Sequence, residues 1–211
     1  MNLVVGFDLD MTLLDTRAGI AATFRAFTER TGVWVDADLA VSRLGPPLAT
    51  EMAYWAPTAD VPALIEEFRL LYPVHAIAPS VPLPGAVEAV DAVRAAGGGV
   101  AVVTSKLARL ARLHLQHVGV VPDYVFGEVY AEEKAPALRS VGAAIYVGDH
   151  VADMRAGKAA GALAVGVTTG PCSRDELLAA GANAVLDSLV DFAPQMLHGS
   201  GSDLGWRDAR G

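Results

Sequence analysis

The fold of this chain is decided near its start, by the stretch Leu3-Val4-Val5-Gly6-Phe7-Asp8-Leu9-Asp10-Met11-Thr12-Leu13-Leu14-Asp15. The apolar run at residues 3–7 has the length and composition of a strand that is buried on both faces. Two carboxylates, Asp8 and Asp10, follow at once, and the hydroxyl of Thr12 comes two positions later. Ionised carboxylates at the edge of a core are rarely left without a cation. A hard, oxygen-preferring ion such as Mg²⁺ is therefore the expected partner.

Length and composition indicate an acidic protein with ample material for a core. The 211 residues allow one large domain, or one domain with a smaller insert, and 53% of them are hydrophobic. The formal net charge is -8, and no basic stripe offers a surface for nucleic acid. The single cysteine, Cys172, cannot form an internal disulfide, which suits a reducing compartment. We expect a cytoplasmic protein, because the sequence shows neither a signal peptide nor an apolar run of about 20 residues.

Beyond residue 84 the chain alternates apolar runs with amphipathic helical segments. The strand-like runs lie at residues 100–103, 124–126, 143–147 and 163–167, with a short edge strand at 185–186. Alternating βα units predict a parallel sheet with helices on both faces, so the expected fold is an α/β, Rossmann-like doubly wound sheet. The three glycines at 97–99 precede a strand, whereas a dinucleotide-binding loop must follow one, so that type of site is excluded.

Residues 16–80 differ from the rest, because strand-like runs disappear and helical pieces alternate with Pro and Gly. Ile20, Phe24 and Phe27 share one helical face, and Gly32 is suited to end that helix. We expect a small all-helical domain at 16–80, inserted after the first strand. The remaining residues, 1–15 and 81–198, would form the core, and residues 199–211 a flexible tail.

Polar side chains also follow two later strands. Thr104, Ser105 and Lys106 follow the strand at 100–103, and the stretch Gly148-Asp149-His150-Val151-Ala152-Asp153 follows the strand at 143–147. In open parallel sheets, ligands bind outside the carboxyl ends of the strands. Residues from distant parts of the chain are therefore expected to converge on one site.

These patterns resemble the motifs of the haloacid dehalogenase-like (HAD) hydrolases, in the phosphoglycolate-phosphatase-like subgroup that carries a helical cap. The matching residues are Asp8, Asp10 and Thr12 for DxDxT, Thr104 for the second motif, Lys134 for the third, and Gly148, Asp149 and Asp153 for GDxxxD. The resemblance implies a Mg²⁺-dependent phosphatase that hydrolyses a small-molecule phosphate monoester, phosphoglycolate being the familiar example, through an aspartyl phosphate.

The resemblance also implies a role for each matched residue. Asp8 would be the nucleophile, and Asp10 the general acid and base. The expected metal ligands are Asp8, the backbone carbonyl of Asp10, and Asp149, with Asp153 as a further ligand or as a support for one. Thr104, Ser105 and Lys134 would hold the phosphoryl oxygens.

One departure weakens the assignment of Lys134. Only fifteen positions separate Lys134 from Asp149, fewer than in familiar relatives, so Lys106 stays as the alternative phosphate-site lysine. His150, next to Asp149 in the fourth motif, is interpreted as a loop residue rather than as a ligand. The residues Arg43, Gly45, Pro46, Pro47 and Leu48 resemble the specificity loop of the cap, although a plain turn between helices explains them equally well.

Other functions on the same scaffold are a phosphomutase, a dehalogenase and a non-catalytic binding protein. Dehalogenases that resemble this family generally lack the second acid, so Asp10 disfavours that reading. A mutase uses the same two aspartates and is harder to exclude. The expected partner is a small phosphate ester, with neither nucleic acid nor membrane, and the protein would be a monomer or homodimer.

Overall fold

The computed structural model describes residues 3–197, and the flexible tail predicted at 199–211 lies outside them. The strands in chain order are β1 (Val4–Phe7), β2 (Leu14–Asp15), β3 (Val81–Pro82), β4 (Gly99–Val103), β5 (Tyr124–Phe126), β6 (Ile145–Gly148), β7 (Leu163–Val167) and β8 (Ala184–Leu186). Six of them form one parallel sheet in the order β5-β4-β1-β6-β7-β8. The predicted α/β fold with a doubly wound parallel sheet is therefore confirmed.

Strand β1 lies in the interior of the sheet, because β4 and β6 pair with it on either side. Phe7 is in register with Val102 of β4 and with Val147 of β6. All three side chains are fully buried, as expected for a strand covered on both faces. The three strands run in the same direction, so the residues that follow them emerge at one edge of the sheet.

Helices cover both faces of the sheet, and four further helices lie in the insertion. In chain order they are α1 (Arg17–Thr31), α2 (Ala37–Ser42), α3 (Leu48–Trp55), α4 (Val61–His75), α5 (Ala86–Ala95), α6 (Ala108–His117), α7 (Lys134–Ser140), α8 (Val151–Ala160) and α9 (Arg174–Ala179). A 3-10 turn, Ala131–Glu133, precedes α7, another spans Leu189–Asp191, and a π-helical turn covers Ala193–Leu197. No helix in the part of the chain described is long and apolar enough to cross a membrane.

The insertion after the first strand is helical, as predicted, and we call α1–α4 the cap. Helix α1 ends at Gly32, whose φ of 73° is the left-handed conformation expected of a glycine that closes a helix. The rings of Phe24 and Phe68 pack 4.7 Å apart between α1 and α4, and Phe27 joins them. The cap thus has an apolar interior, which Leu110 of α6 joins from the core. The domain limits at 16 and 80 stay predictions.

The chain passes between core and cap through the two short strands β2 and β3. They pair antiparallel, with Leu14 opposite Pro82 and Asp15 opposite Val81. The point where the chain leaves the core therefore lies beside the point where it returns. This arrangement attaches the cap directly above the edge of the sheet where β1 ends.

Candidate active site

The carboxylates predicted from the sequence meet at the carboxyl edge of the sheet. Asp8 follows β1 directly, and its backbone amide still donates to the carbonyl of Val147, at 2.8 Å. Asp149 follows the neighbouring strand β6, and Asp153 lies in the first turn of α8. Oxygen atoms of Asp8, Asp149 and Asp153 lie within 4.8 Å of one another. We call these three residues the acidic cluster.

The acidic cluster is electrostatically costly, because all three carboxyl groups are buried. Burial, followed by the negative charges of Asp153 and Asp8, raises the pKa of Asp149 well above its ordinary value. Burial raises the pKa of Asp8 to about 7, although the ammonium group of Lys134 opposes the rise. A bound divalent cation would offset this repulsion, and three carboxylates are the hard oxygen donors that Mg²⁺ prefers. The residues therefore fit a metal site.

Lys134 is the cation that this structure places among the acidic cluster. Its Nζ donates to Asp8 at 2.8 Å, to Asp153 at 2.7 Å and to the hydroxyl of Tyr146 at 2.8 Å. Burial alone would lower the pKa of Lys134, but Asp153 and Asp8 outweigh burial and raise it well above the ordinary value. The side chain is therefore charged at neutral pH, and its ammonium lies where a phosphoryl group next to Asp8 would need positive charge.

Tyr146 is a site residue that the sequence did not reveal. It lies inside β6, where an aromatic side chain is expected to pack in the core, and no pattern distinguishes it. Its hydroxyl donates to the backbone carbonyl of Val103 at 3.0 Å and lies 3.1 Å from Asp153. Tyr146 therefore fixes the positions of Lys134 and Asp153 relative to β4, which lies on the far side of β1 in the sheet.

The carboxylate of Asp10 is not part of the acidic cluster, although it lines the same cavity. Its Oδ1 accepts hydrogen bonds from Nζ of Lys106 and from the hydroxyl of Thr16, both at 2.5 Å. Burial would raise the pKa of Asp10, but the charge of Lys106 outweighs burial and holds the pKa below its ordinary value. The carboxylate is thus ionised, which is the form that can accept a proton. Only its backbone carbonyl was expected to bind metal.

Lys106 connects Asp10 to Tyr72 in the cap and, through Tyr72, to His114 in the core. Its Nζ also donates to the hydroxyl of Tyr72 in α4, at 2.6 Å, and Tyr72 lies 2.9 Å from Nε2 of His114 in α6. Because the ammonium group can only donate, the tyrosine proton is directed to Nε2. Burial lowers the pKa of His114 to about 3, in agreement with a neutral ring. We call Asp10, Lys106, Tyr72 and His114 the Asp10 network.

Two features hold Asp149 in place. The hydroxyl of Thr12, the last residue of the first motif, donates to Oδ1 of Asp149 at 2.8 Å. Gly170, in the turn after β7, faces the same carboxylate so closely that a Cβ atom at this position would overlap it. Thr12 was predicted from its motif, whereas Gly170 was not predicted.

The turn after β6 holds Asp153. The carboxylate accepts a hydrogen bond from the amide of His150 at 3.2 Å, and Nδ1 of His150 accepts from the amide of Ala152 at 3.1 Å. Together they form a capping box at the start of α8. His150 thus acts as a helix cap, in line with its interpretation as a loop residue. Gly148 is required here, because a Cβ atom would overlap the carboxyl group of Asp153.

Residues 43–48 of the cap reach down to the core beside this turn. The carbonyl of Gly45 accepts a hydrogen bond from the hydroxyl of Ser105, at 3.2 Å. Gly45 has a φ of 135°, and a Cβ atom there would lie 3.0 Å from the ring of His150. Thr104 is buried at the end of β4, where its Oγ1 accepts from the amide of Lys106 at 3.2 Å. The roles of Thr104 and Ser105 in phosphate binding stay predictions.

Comparison with known proteins places this arrangement in a family. A model of the family described as haloacid dehalogenase-like hydrolase matches residues 5–167. The chain belongs to the haloacid dehalogenase-like hydrolases. The phosphoglycolate phosphatase of Xylella fastidiosa is 33% identical to this HAD hydrolase, over 74% of the chain and 75% of the relative. The Dickeya dadantii protein named "Probable phosphatase IndB" is 30% identical, over 90% of the chain and 92% of the relative.

Solved structures agree with the sequence relatives on the fold. A haloacid dehalogenase-like hydrolase of Streptococcus pneumoniae superposes on this HAD hydrolase with a TM-score of 0.80 at 20% identity. That alignment covers 92% of this chain and 97% of the other. The chain therefore falls among the phosphatases of the family, in the phosphoglycolate-phosphatase-like subgroup with a helical insertion after β1.

Proposed function

We propose that this HAD hydrolase is a Mg²⁺-dependent phosphatase that hydrolyses a small-molecule phosphate monoester through an aspartyl phosphate on Asp8. The observation that carries the proposal is the position of Asp8. Its carboxylate ends the central strand, belongs to the acidic cluster and contacts Lys134 at 2.8 Å. A nucleophile that is itself an anion needs cations around the attacked phosphoryl group, and this site supplies one and can hold another.

In the first step an Oδ atom of Asp8 attacks phosphorus, and the bond between phosphorus and the leaving alcohol breaks. Asp10 donates a proton to the leaving oxygen. In the second step a water molecule attacks phosphorus, Asp10 accepts a proton from that water, and the bond to Asp8 breaks to release inorganic phosphate. Lys134 orients Asp8 throughout and stabilises charge on the phosphoryl oxygens, with Thr104 and Ser105 as further candidates for this binding.

Asp8, Asp149, Asp153 and the backbone carbonyl of Asp10 are the candidates to hold Mg²⁺. When bound, the ion would reduce the electrostatic repulsion between the carboxylate of Asp8 and the anionic substrate. Without substrate, the Lys106 ammonium at 2.5 Å holds Asp10 ionised, so the acid role requires Asp10 to take up a proton from solvent or from the substrate's monoanion when the substrate binds. The base role requires no such change.

The test is hydrolysis of p-nitrophenyl phosphate and of a panel of small phosphate esters. Phosphoglycolate belongs in that panel, because the Xylella relative carries its name. We expect release of inorganic phosphate that stops in EDTA and resumes with Mg²⁺. Full activity in the chelator would contradict the metal proposal. A sugar phosphate that is isomerised without phosphate release would identify a phosphomutase instead.

A further inference from the structure

The cavity above the acidic cluster has two kinds of wall. It has a volume of about 320 Å³, a size that suits a small molecule. The core supplies the reacting groups, including Asp8, Asp10 and Lys134. The rest includes a continuous apolar surface, which we call the apolar wall, formed by Ile20, Phe24, Ile65, Phe68, Leu107 and Leu110.

The arginines that line the cavity are both neutralised. Arg43 donates to Glu51 at 2.7 Å, and the indole of Trp55 donates to the same oxygen of Glu51 at 2.6 Å. Arg69 lies 2.8 Å from Glu128 and 3.3 Å from Glu66. Neither guanidinium group therefore offers its full charge to a ligand.

The lysines that line the cavity are also engaged. Lys106 is paired with Asp10, and Lys134 with Asp8 and Asp153. The lining carboxylates outnumber these four cations, since Glu51, Glu128 and Glu133 add to the aspartates. Among the described lining residues, every lysine and arginine is thus in an ion pair. A second anionic group on the substrate would have to compete with a protein carboxylate for each of these charges, and Nε of Arg43 is the one buried nitrogen among them without a hydrogen-bond partner.

Such competition is unfavourable for two reasons. A substrate carboxylate that enters the cavity loses water, and burial of an unpaired charge is costly. Withdrawal of Arg43 would also leave the carboxylate of Glu51, whose side chain is only 17% exposed, with Trp55 as its remaining hydrogen-bond partner. An uncharged group avoids both costs, and an apolar group gains contact with the apolar wall.

We propose that the leaving group of this phosphatase is an uncharged, largely apolar alcohol that lies against the apolar wall. The Arg43–Glu51 pair then acts as a specificity determinant, because it removes the positive charge that a carboxylate-bearing ester such as phosphoglycolate would need. This inference rests on the proposed function and adds the class of substrate to it.

The first experiment compares kcat/KM for two matched pairs of esters with Mg²⁺ present. Phosphoglycolate is paired with its primary amide, which has nearly the same shape without the carboxylate charge. Ethyl phosphate is paired with benzyl phosphate. The two esters have leaving alcohols of similar reactivity, but benzyl phosphate carries an additional apolar ring. We expect a preference of at least about tenfold for the amide and for the benzyl ester. A preference for phosphoglycolate over its amide would overturn the proposal.

The second experiment uses Glu51→Gln, which keeps an acceptor for Trp55 but releases the charge of Arg43. We expect the preference for the amide over phosphoglycolate to shrink several-fold, because Arg43 can now pair with the substrate carboxylate. The matched control is Glu67→Gln, which breaks the exposed 2.6 Å pair with Arg30 and should leave the preference as in the wild type. An unchanged preference in Glu51→Gln would overturn the role given to the Arg43–Glu51 pair.

These outcomes are distinct from failure of the proposed function. Absence of any phosphate release, even from p-nitrophenyl phosphate with Mg²⁺, would contradict the phosphatase mechanism itself. Robust hydrolysis with the reverse preference would leave that mechanism intact and exclude only the apolar leaving group.

Discussion

Tyr72 of the cap accepts a 2.6 Å hydrogen bond from Nζ of Lys106 in the core, and both side chains are buried. Lys106 is also the partner of Asp10, the proposed acid and base. The hydroxyl group of Tyr72 therefore joins the cap to the residue beside the proposed catalytic carboxylate.

Tyr72→Phe should lower the free energy of unfolding by about 1–2 kcal/mol, because it leaves the ammonium of Lys106 and the ring of His114 with one partner fewer. Urea denaturation measures the change. Tyr124→Phe is the control, since Tyr124 is 46% exposed and its loss of a hydroxyl should have little effect. Equal stability of the two variants would show that the bond across the interface contributes nothing measurable.

The lowered pKa of His114 predicts that the folded protein loses stability in mild acid. The pKa of this histidine is lowered by burial from 6.5 to about 3, so the unfolded chain takes up a proton before the folded one does. The stability that the neutral ring contributes is complete above pH 6.5 and is lost as the pH falls from there toward 3. Between about pH 7 and about pH 5 this amounts to about 2 kcal/mol.

The comparison that isolates His114 is wild type against His114→Gln, which keeps a side chain able to accept from Tyr72. Urea denaturation at both pH values should show that the variant loses about 2 kcal/mol less than the wild type. If the free energy of unfolding fell by the same amount in both proteins, His114 would have to be protonated in the folded state as readily as in the unfolded chain.

The proposed mechanism predicts different defects for the two leading aspartates. Asp8→Asn should abolish turnover, because an amide cannot form the acyl phosphate. Asp10→Asn should retain the nucleophile and lose proton transfer, which is worth roughly 10²–10⁴-fold. With p-nitrophenyl phosphate the leaving group needs little protonation, so phosphorylated enzyme should accumulate. Mass spectrometry of the quenched variant would locate the phosphoryl group, and a label on any residue other than Asp8 would refute the mechanism.

Gly170→Ala should weaken the binding of Mg²⁺ without unfolding the protein. The added Cβ atom would overlap the carboxylate of Asp149, which must then move within the acidic cluster. Mutation of a residue that positions a metal ligand typically costs about 10–100-fold in affinity. The Mg²⁺ concentration for half-maximal activity measures the effect. Gly99→Ala is the control, since a Cβ atom there makes only ordinary contacts at 3.5 Å. A metal requirement equal to that of the control would exclude the predicted displacement.

Much of the core could be predicted, because continuous apolar runs that alternate with helices specify a parallel sheet. The carboxyl ends of β1 and β6 meet at one edge, so the approach of Asp8 to Asp149 follows from the topology. Two-residue strands such as β2 and β3 are too short to show a period, and their pairing was not predicted.

The Asp10 network could not be predicted from the sequence either, and the reason is different. Tyr72 belongs to the apolar stripe of α4, and its pattern is the same as that of an aromatic residue that only packs. His114 likewise lies on the buried face of α6. Their contact with Lys106 depends on how the cap lies on the core, which periodicity within one helix does not encode.

The antiparallel pairing of β2 with β3 has a consequence for the history of such enzymes. Because Asp15 lies opposite Val81, everything between them is a cassette whose two ends are neighbours. Recombination can replace that cassette with another of similar end spacing and leave the acidic cluster undisturbed. The core can then keep the reaction while the inserted segment changes, so the chemistry and the choice of substrate can evolve separately.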